Sequence, residues 1–142
     1  MKKLLYVLLL APGISPVFCT AQEIEWKSTT HWKLYNIFDD AAFRYPVDSL
    51  SFFKSIPLDD STMKRFLKPA SIWPKDKTSL WMGLFTASFE TADNKTRKLI
   101  ISSYGGFFYD SAEKRYYELP MEIRKEWYQF INDQLDMMNL PK

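Results

Sequence analysis

The stretch LWMGLFTASFETADNKTRKLIISSYGGFFYDSAEKRYYEL, residues 80–119, decides the fold. In its first part Trp81, Phe85, Ala87 and Phe89 fall on one side of an extended chain, and Met82, Thr86, Ser88 and Glu90 on the other, with Leu84 the apolar exception. That period of two is the pattern of a half-buried strand. Ala92-Asp93-Asn94-Lys95 is turn chemistry. Leu99, Ile100 and Ile101 open a second strand that runs through Tyr104, with Gly105-Gly106 read as a bulge or bend inside it, and on through Phe107-Phe108-Tyr109. Asp110 to Lys114 is a polar turn, and Tyr116-Tyr117 begins a third strand. The stretch therefore predicts an antiparallel meander.

The segment that follows predicts a long helix. Pro120 suits its first turn, where a missing N–H costs nothing. Ile123, Trp127, Phe130, Ile131, Leu135 and Met138 form one apolar stripe, while Arg124, Lys125, Glu126, Asn132 and Asp133 take the other side. This stripe should lie across the sheet face of Trp81, Phe85 and Phe89. Upstream, Met63, Phe66, Leu67 and Ala70 predict a shorter helix over 59–68, capped by Asp60 or Ser61 and ended by Pro69. Residues 23–37, with Ile24, Trp26, Trp32, Leu34, Tyr35 and Ile37, read as strand-like. Residues 41–58 predict at most a helical turn or two capped by Asp48, between Pro46 and Pro57. The expected fold is α+β: an antiparallel meander of three to four strands, packed by the long C-terminal helix and the shorter one.

The N-terminus has the order of a secretory signal peptide. Lys2 and Lys3 precede the apolar run Leu4–Leu10; Pro12, Gly13 and Pro16 break it, and Cys19-Thr20-Ala21 supplies small side chains before Gln22. Cleavage after Ala21 is expected, leaving residues 22–142 as one exported domain, in the periplasm or at the cell surface. The run is too short to span a bilayer, so no membrane span is expected. A lipid anchor on Cys19 is the competing reading, but Phe18 is bulky where such anchors carry a small residue. Removal of 21 residues from 142 leaves 121, enough for a real core without staples. It also removes the only cysteine, and with it any disulfide or Cys-based metal site. The chain has 19 Lys+Arg and 17 Asp+Glu; without Lys2 and Lys3 the balance is 17 to 17. No concentrated basic run survives, which argues against nucleic acid as a partner.

Catalytic motifs are thin. His31 is the sole histidine and cannot build a multi-His metal site, so no metal or cofactor is expected. Ser61-Thr62-Met63-Lys64 matches the S-x-x-K spacing of penicillin-binding enzymes and serine β-lactamases, but the partner motifs are absent: Lys77-Thr78-Ser79 is a poor imitation of K-T-G and no S-x-N exists. Asp39-Asp40 and Asp59-Asp60 are acidic pairs explained by turns and caps. Gly105-Gly106 lacks the further glycine and lysine of a phosphate loop.

Aromatic residues make up 17% of the chain. Tyr104, Gly105, Gly106, Phe107, Phe108 and Tyr109 face Tyr116 and Tyr117 across a short turn, so both sheet faces are aromatic there. One face must meet the C-terminal helix. The other is either covered by the helix near Met63 and the strand near Trp26, or open as a binding surface, with one of Phe107 and Phe108 pointing inward and one outward. Asp48-Ser49-Leu50, Asp60-Ser61-Thr62 and Asp110-Ser111-Ala112 resemble the Asp-Ser/Thr-apolar acceptor used for O-glycosylation of exported proteins in Bacteroidota-type bacteria, which implies modification at Ser49, Ser61 and Ser111. The functional expectation is a non-catalytic exported binding protein with a protein partner, an immunity or inhibitor role being compatible. The alternatives are a carrier holding sugar or lipid in an aromatic-lined cavity, and a hydrolase whose carboxylates converge only in three dimensions.

Overall fold

The computed structural model describes residues 24–73, 84–102 and 106–139. Its strands are β1 (Thr30–Phe38), β2 (Ser55–Pro57), β3 (Ser71–Ile72), β4 (Leu84–Glu90), β5 (Thr96–Ser102), β6 (Phe107–Asp110) and β7 (Arg115–Glu118). All pair antiparallel in one sheet of order β2-β1-β4-β5-β6-β7-β3. The helices are α1 (Asp40–Arg44), α2 (Asp60–Leu67) and α3 (Met121–Asn139), with 3-10 segments at Trp26–Ser28 and Val47–Phe52. The class is α+β, but the sheet has seven strands rather than three or four. Both edges are short, at three and two residues, which leaves little free ladder for a stray chain.

Three differences from the sequence reading account for the larger sheet: one expected strand is two, and β2 and β3 lie where no strand was read, β3 pairing Ser71 with Glu118 and Ile72 with Tyr117. The expected second strand, Leu99 to Tyr109, is two strands: β5 and β6 pair in antiparallel register, Ile100 opposite Tyr109 and Ile101 opposite Phe108. The chain reverses between them, and Gly106, at φ +65°, belongs to that reversal rather than to a bulge. Residues 26–28 are a 3-10 turn, and the strand begins only at Thr30. Residues 41–58 contain α1, the second 3-10 segment and β2, whose Ile56 pairs with Leu34.

The first face of the sheet carries the main core. Trp32 and Leu34 of β1, Ala87 and Phe89 of β4, Leu99 and Ile101 of β5, Phe108 of β6 and Tyr117 of β7 all turn to it. Above them lie Met63, Phe66 and Leu67 of α2 and Trp127, Ile131, Leu135 and Met138 of α3. The α3 stripe is the expected one, with Ile123 and Phe130 at its margins. Phe85 and Phe89 do face it, whereas Trp81 lies outside the described residues. Trp127 is fully buried, its ring meeting Phe66 at 5.2 Å and Phe108 at 5.1 Å, and its indole N–H donates to the Ser102 carbonyl at 3.3 Å.

The helix near Met63 and the Trp26 segment therefore cover the first face, not the second. The second face is covered by residues 39–53, which place Ala42 against Leu84 and Ile100, and Leu50 against Tyr35 and Ile37. The α2 cap is Asp59, one residue earlier than expected: its carboxylate accepts from the Thr62 N–H at 2.8 Å. Asp60 does something else. Its two oxygens accept the His31 and Trp32 N–H groups, both at 3.1 Å, which ties α2 to an irregular point of β1 where His31 has φ +53°.

Candidate functional site

The β6–β7 hairpin divides its aromatic residues by strand alternation. Phe108, fully buried, and Tyr117, 3% exposed, turn to the first face and are core. Phe107 and Tyr109 turn to the second, opposite Glu118 and Tyr116. Phe107 is nevertheless covered: the Trp73 ring meets it at 4.2 Å and the Arg124 guanidinium lies 4.9 Å above it. Gly106 is buried as well, with Arg124 and Leu119 where a side chain would go. Tyr104 and Gly105 lie outside the described residues. Of the residues read as a binding surface, Tyr109 and Tyr116 are the ones on an accessible face, their rings 4.7 Å apart.

They are joined by side chains that the sequence reading passed over. Phe43 of α1 is 48% exposed and sits 6.0 Å from the Tyr109 ring. On the same covering segment, Phe52 is 86% exposed, and Tyr45 packs on Phe53 at 4.6 Å. The signal was present as Phe38, Phe43, Tyr45, Phe52 and Phe53 within sixteen residues. It carried no period of two or 3.6, so it pointed to no face.

The placement of Phe43 follows from the chemistry beneath it. Ala42 is small enough for α1 to lie close on Leu84 and Ile100, which turns Phe43 outward. Lys98 reaches up from β5 and its ammonium donates to the Ala42 carbonyl at 2.9 Å and the Tyr45 carbonyl at 2.6 Å. A cation at a helix C-terminus satisfies carbonyls that the helix leaves open. Lys98 is buried, with no acidic partner among the described residues, and burial lowers its pKa. Tyr109 is shifted the other way: burial first, then the neighbouring Tyr116 and Asp110, raise its pKa, so its hydroxyl stays a donor at neutral pH.

The remaining sequence candidates are dispersed. His31 Nδ1 lies 3.1 Å from Glu90 and 3.2 Å from Thr30 Oγ1, on an exposed side chain. The Ser61 hydroxyl donates to Asp59 at 2.7 Å rather than engaging Lys64, and hydrogen bonds from Thr62 first and Ser61 second hold the Asp59 carboxyl below its usual range. Asp39 and Asp40 are exposed at the start of α1. Ser61 is the exposed serine of the three Asp-Ser motifs; Ser49 donates to the Pro46 carbonyl and Ser111 to the Lys98 carbonyl, and both are half-buried.

Asp110 is fully buried against Arg97; burial raises its pKa, and Arg97 opposes the shift. Arg97 lines a cavity of about 450 Å³ with Ser28, Thr29, Thr91, Glu113 and their neighbours, and no aromatic residue is among its lining. Among the described residues no group of three or more His, Cys, Asp or Glu side chains is arranged to hold a metal, and no helix is long and apolar enough to cross a membrane. No family model, curated protein or solved structure matches the chain.

Proposed function

We propose that this chain is a small exported, non-catalytic binding protein that contacts a protein partner through the second face, at Phe43, Phe52, Tyr109 and Tyr116. The observation that carries this reading is Phe52, a large apolar side chain left 86% exposed on the same short segment as Phe43, the most exposed of the large apolar side chains among the described residues. Exposed aromatics gathered on one side are what protein contacts use: they supply area at low entropy cost, and tyrosine adds a hydrogen bond. Export rests on the N-terminal pattern of Lys2 to Ala21.

The test is site-specific photocrosslinking in the exporting cell. A photoreactive phenylalanine analogue at Phe43 or Phe52 should give one discrete adduct, and the same group at Glu122, on the far helix, should give none. Phe43→Ser with Phe52→Ser should abolish the adduct formed from Tyr116 without moving Tm. Adducts of equal pattern from Glu122 would defeat the proposal, as would none from any of these positions.

A further inference from the structure

Two rings elsewhere in the molecule carry a cation of their own. Arg124 lies 4.9 Å above Phe107, and Arg65 lies 4.4 Å above Phe66. Among the described residues no guanidinium or ammonium stands over Phe43 or Tyr109. These two rings and Tyr116 form a connected row, 6.0 Å from Phe43 to Tyr109 and 4.7 Å from Tyr109 to Tyr116. Each ring is tilted 40° to the next rather than stacked flat on it. Phe43 is 48% exposed and Tyr116 37%, so ring surface in this row is open to solvent. The face of an aromatic ring is electrostatically negative and attracts a cation.

Carboxylates accompany the rings. Residues 39–53 hold Asp39, Asp40 and Asp48 against Arg44 alone, in a chain whose residues 22–142 carry 17 charges of each sign. All three acids are exposed, and none forms an ion pair. Asp39 stands at the N-cap of α1 without capping it, since its side chain accepts no backbone N–H there. Asp40 precedes Phe43 by three residues in α1, and positions three apart are neighbours on a helix surface.

We infer that the protein partner is basic and lays an arginine side chain on the row of Phe43, Tyr109 and Tyr116, with Asp40 as its counter-charge. This rests on the proposed function and names what that surface recognises. A planar guanidinium stacks on a ring and keeps its edge N–H groups for a carboxylate, which the compact, strongly hydrated ammonium of lysine does less well. The uncompensated acids of residues 39–53 steer a basic surface inward and oppose an acidic one.

The probe is a blocked pentapeptide of alternating glycine and arginine, titrated at low salt into the full exported protein and followed by amide NMR shifts. The same peptide with lysine, and with glutamate, is run beside it. Saturable shifts at residues 40–45, 109 and 116 are expected with arginine, several-fold weaker binding with lysine, and none with glutamate. Phe43→Leu keeps apolar area but removes the ring, and it should weaken the arginine peptide about two- to fivefold. Tyr116→Leu, on a different element, should do the same, and Asp40→Asn should act by a similar factor. All three should keep Tm near the wild-type value, and Glu122→Gln, an exposed acid on α3, should bind normally. No shifts with the arginine peptide overturn the inference, as does unchanged binding in both leucine variants or an equal loss in Glu122→Gln. Equal binding of the lysine peptide overturns the choice of arginine. The adduct from a photoreactive group at Phe52 is then scored in Asp39→Asn with Asp40→Asn. A weaker adduct supports a basic partner. An unchanged adduct overturns the basic partner and leaves a protein partner standing, whereas no adduct in the wild type defeats the protein partner itself.

Discussion

The two faces of the sheet are covered by different materials. On the first, two helices with 3.6-residue apolar stripes close over one continuous cluster that runs from Trp26 to Met138. On the second, a short segment lies over two small clusters, and its attachment is partly polar, through the Lys98 ammonium under α1. The first face spends its aromatics on burial. The second leaves Phe43 and Phe52 outside. Helices with a periodic stripe bury that stripe whole, whereas a cover held by a few small contacts leaves large rings outside, and the proposed partner would be received there.

The largest effect should come from the first face. Trp127→Ala should cost about 3–5 kcal/mol in urea denaturation, because it removes a fully buried ring from the centre of the cluster. A loss under about 1 kcal/mol would erase the contrast between the faces.

Next is the polar attachment of the second face. Lys98→Met keeps the apolar stem and deletes the ammonium, and it should cost about 1–3 kcal/mol through the unsatisfied carbonyls of α1. Amide exchange over residues 40–45 should accelerate while that of α3 stays slow. The pH dependence has a definite sign. The folded protein releases the Lys98 proton before the unfolded chain does, so stability from this group rises as pH climbs from the lowered value towards 10.5. The variant should lack that rise.

Smaller again is Arg124→Ala, at about 1–2 kcal/mol. The sequence places Arg124 on the polar side of α3, where truncation would be nearly free. In the structure its Nε donates to the Leu119 carbonyl at 2.8 Å and its head covers Phe107. Lys125→Ala, on an exposed neighbour, should stay within about 0.5 kcal/mol. Equal values would return Arg124 to the solvated face. The smallest change is Phe52→Ser, which should leave thermal stability within about 0.5 kcal/mol while weakening partner contact. A clear loss of Tm would make Phe52 part of the cover rather than of a surface.

How much of this was legible follows from what each pattern requires. The α3 stripe from Ile123 to Met138 needs only its own periodicity to be read, and it packs as written. The strand from Leu84 to Glu90 is legible for the same reason, with Phe85 and Phe89 on the helix side and Thr86 and Ser88 on the other. The break between β5 and β6 was not legible, because a glycine in an apolar run serves a bulge and a reversal equally well, and pairing alone distinguishes them. Strands as short as β2 and β3 have too few residues to show a period, so only a neighbour to pair with makes them strands.

The sequence by itself determined the α+β class, the core stripe of α3 and the alternation that splits Phe107 from Phe108. It did so because these are local periodicities, set by helix and strand geometry. Tertiary structure alone decided which face each helix covers, that Arg124 shields Phe107, that Lys98 is buried beneath α1, and that Phe43 meets Tyr109. Each of these joins residues far apart in the chain, and no local pattern encodes a contact that exists only once the sheet has assembled.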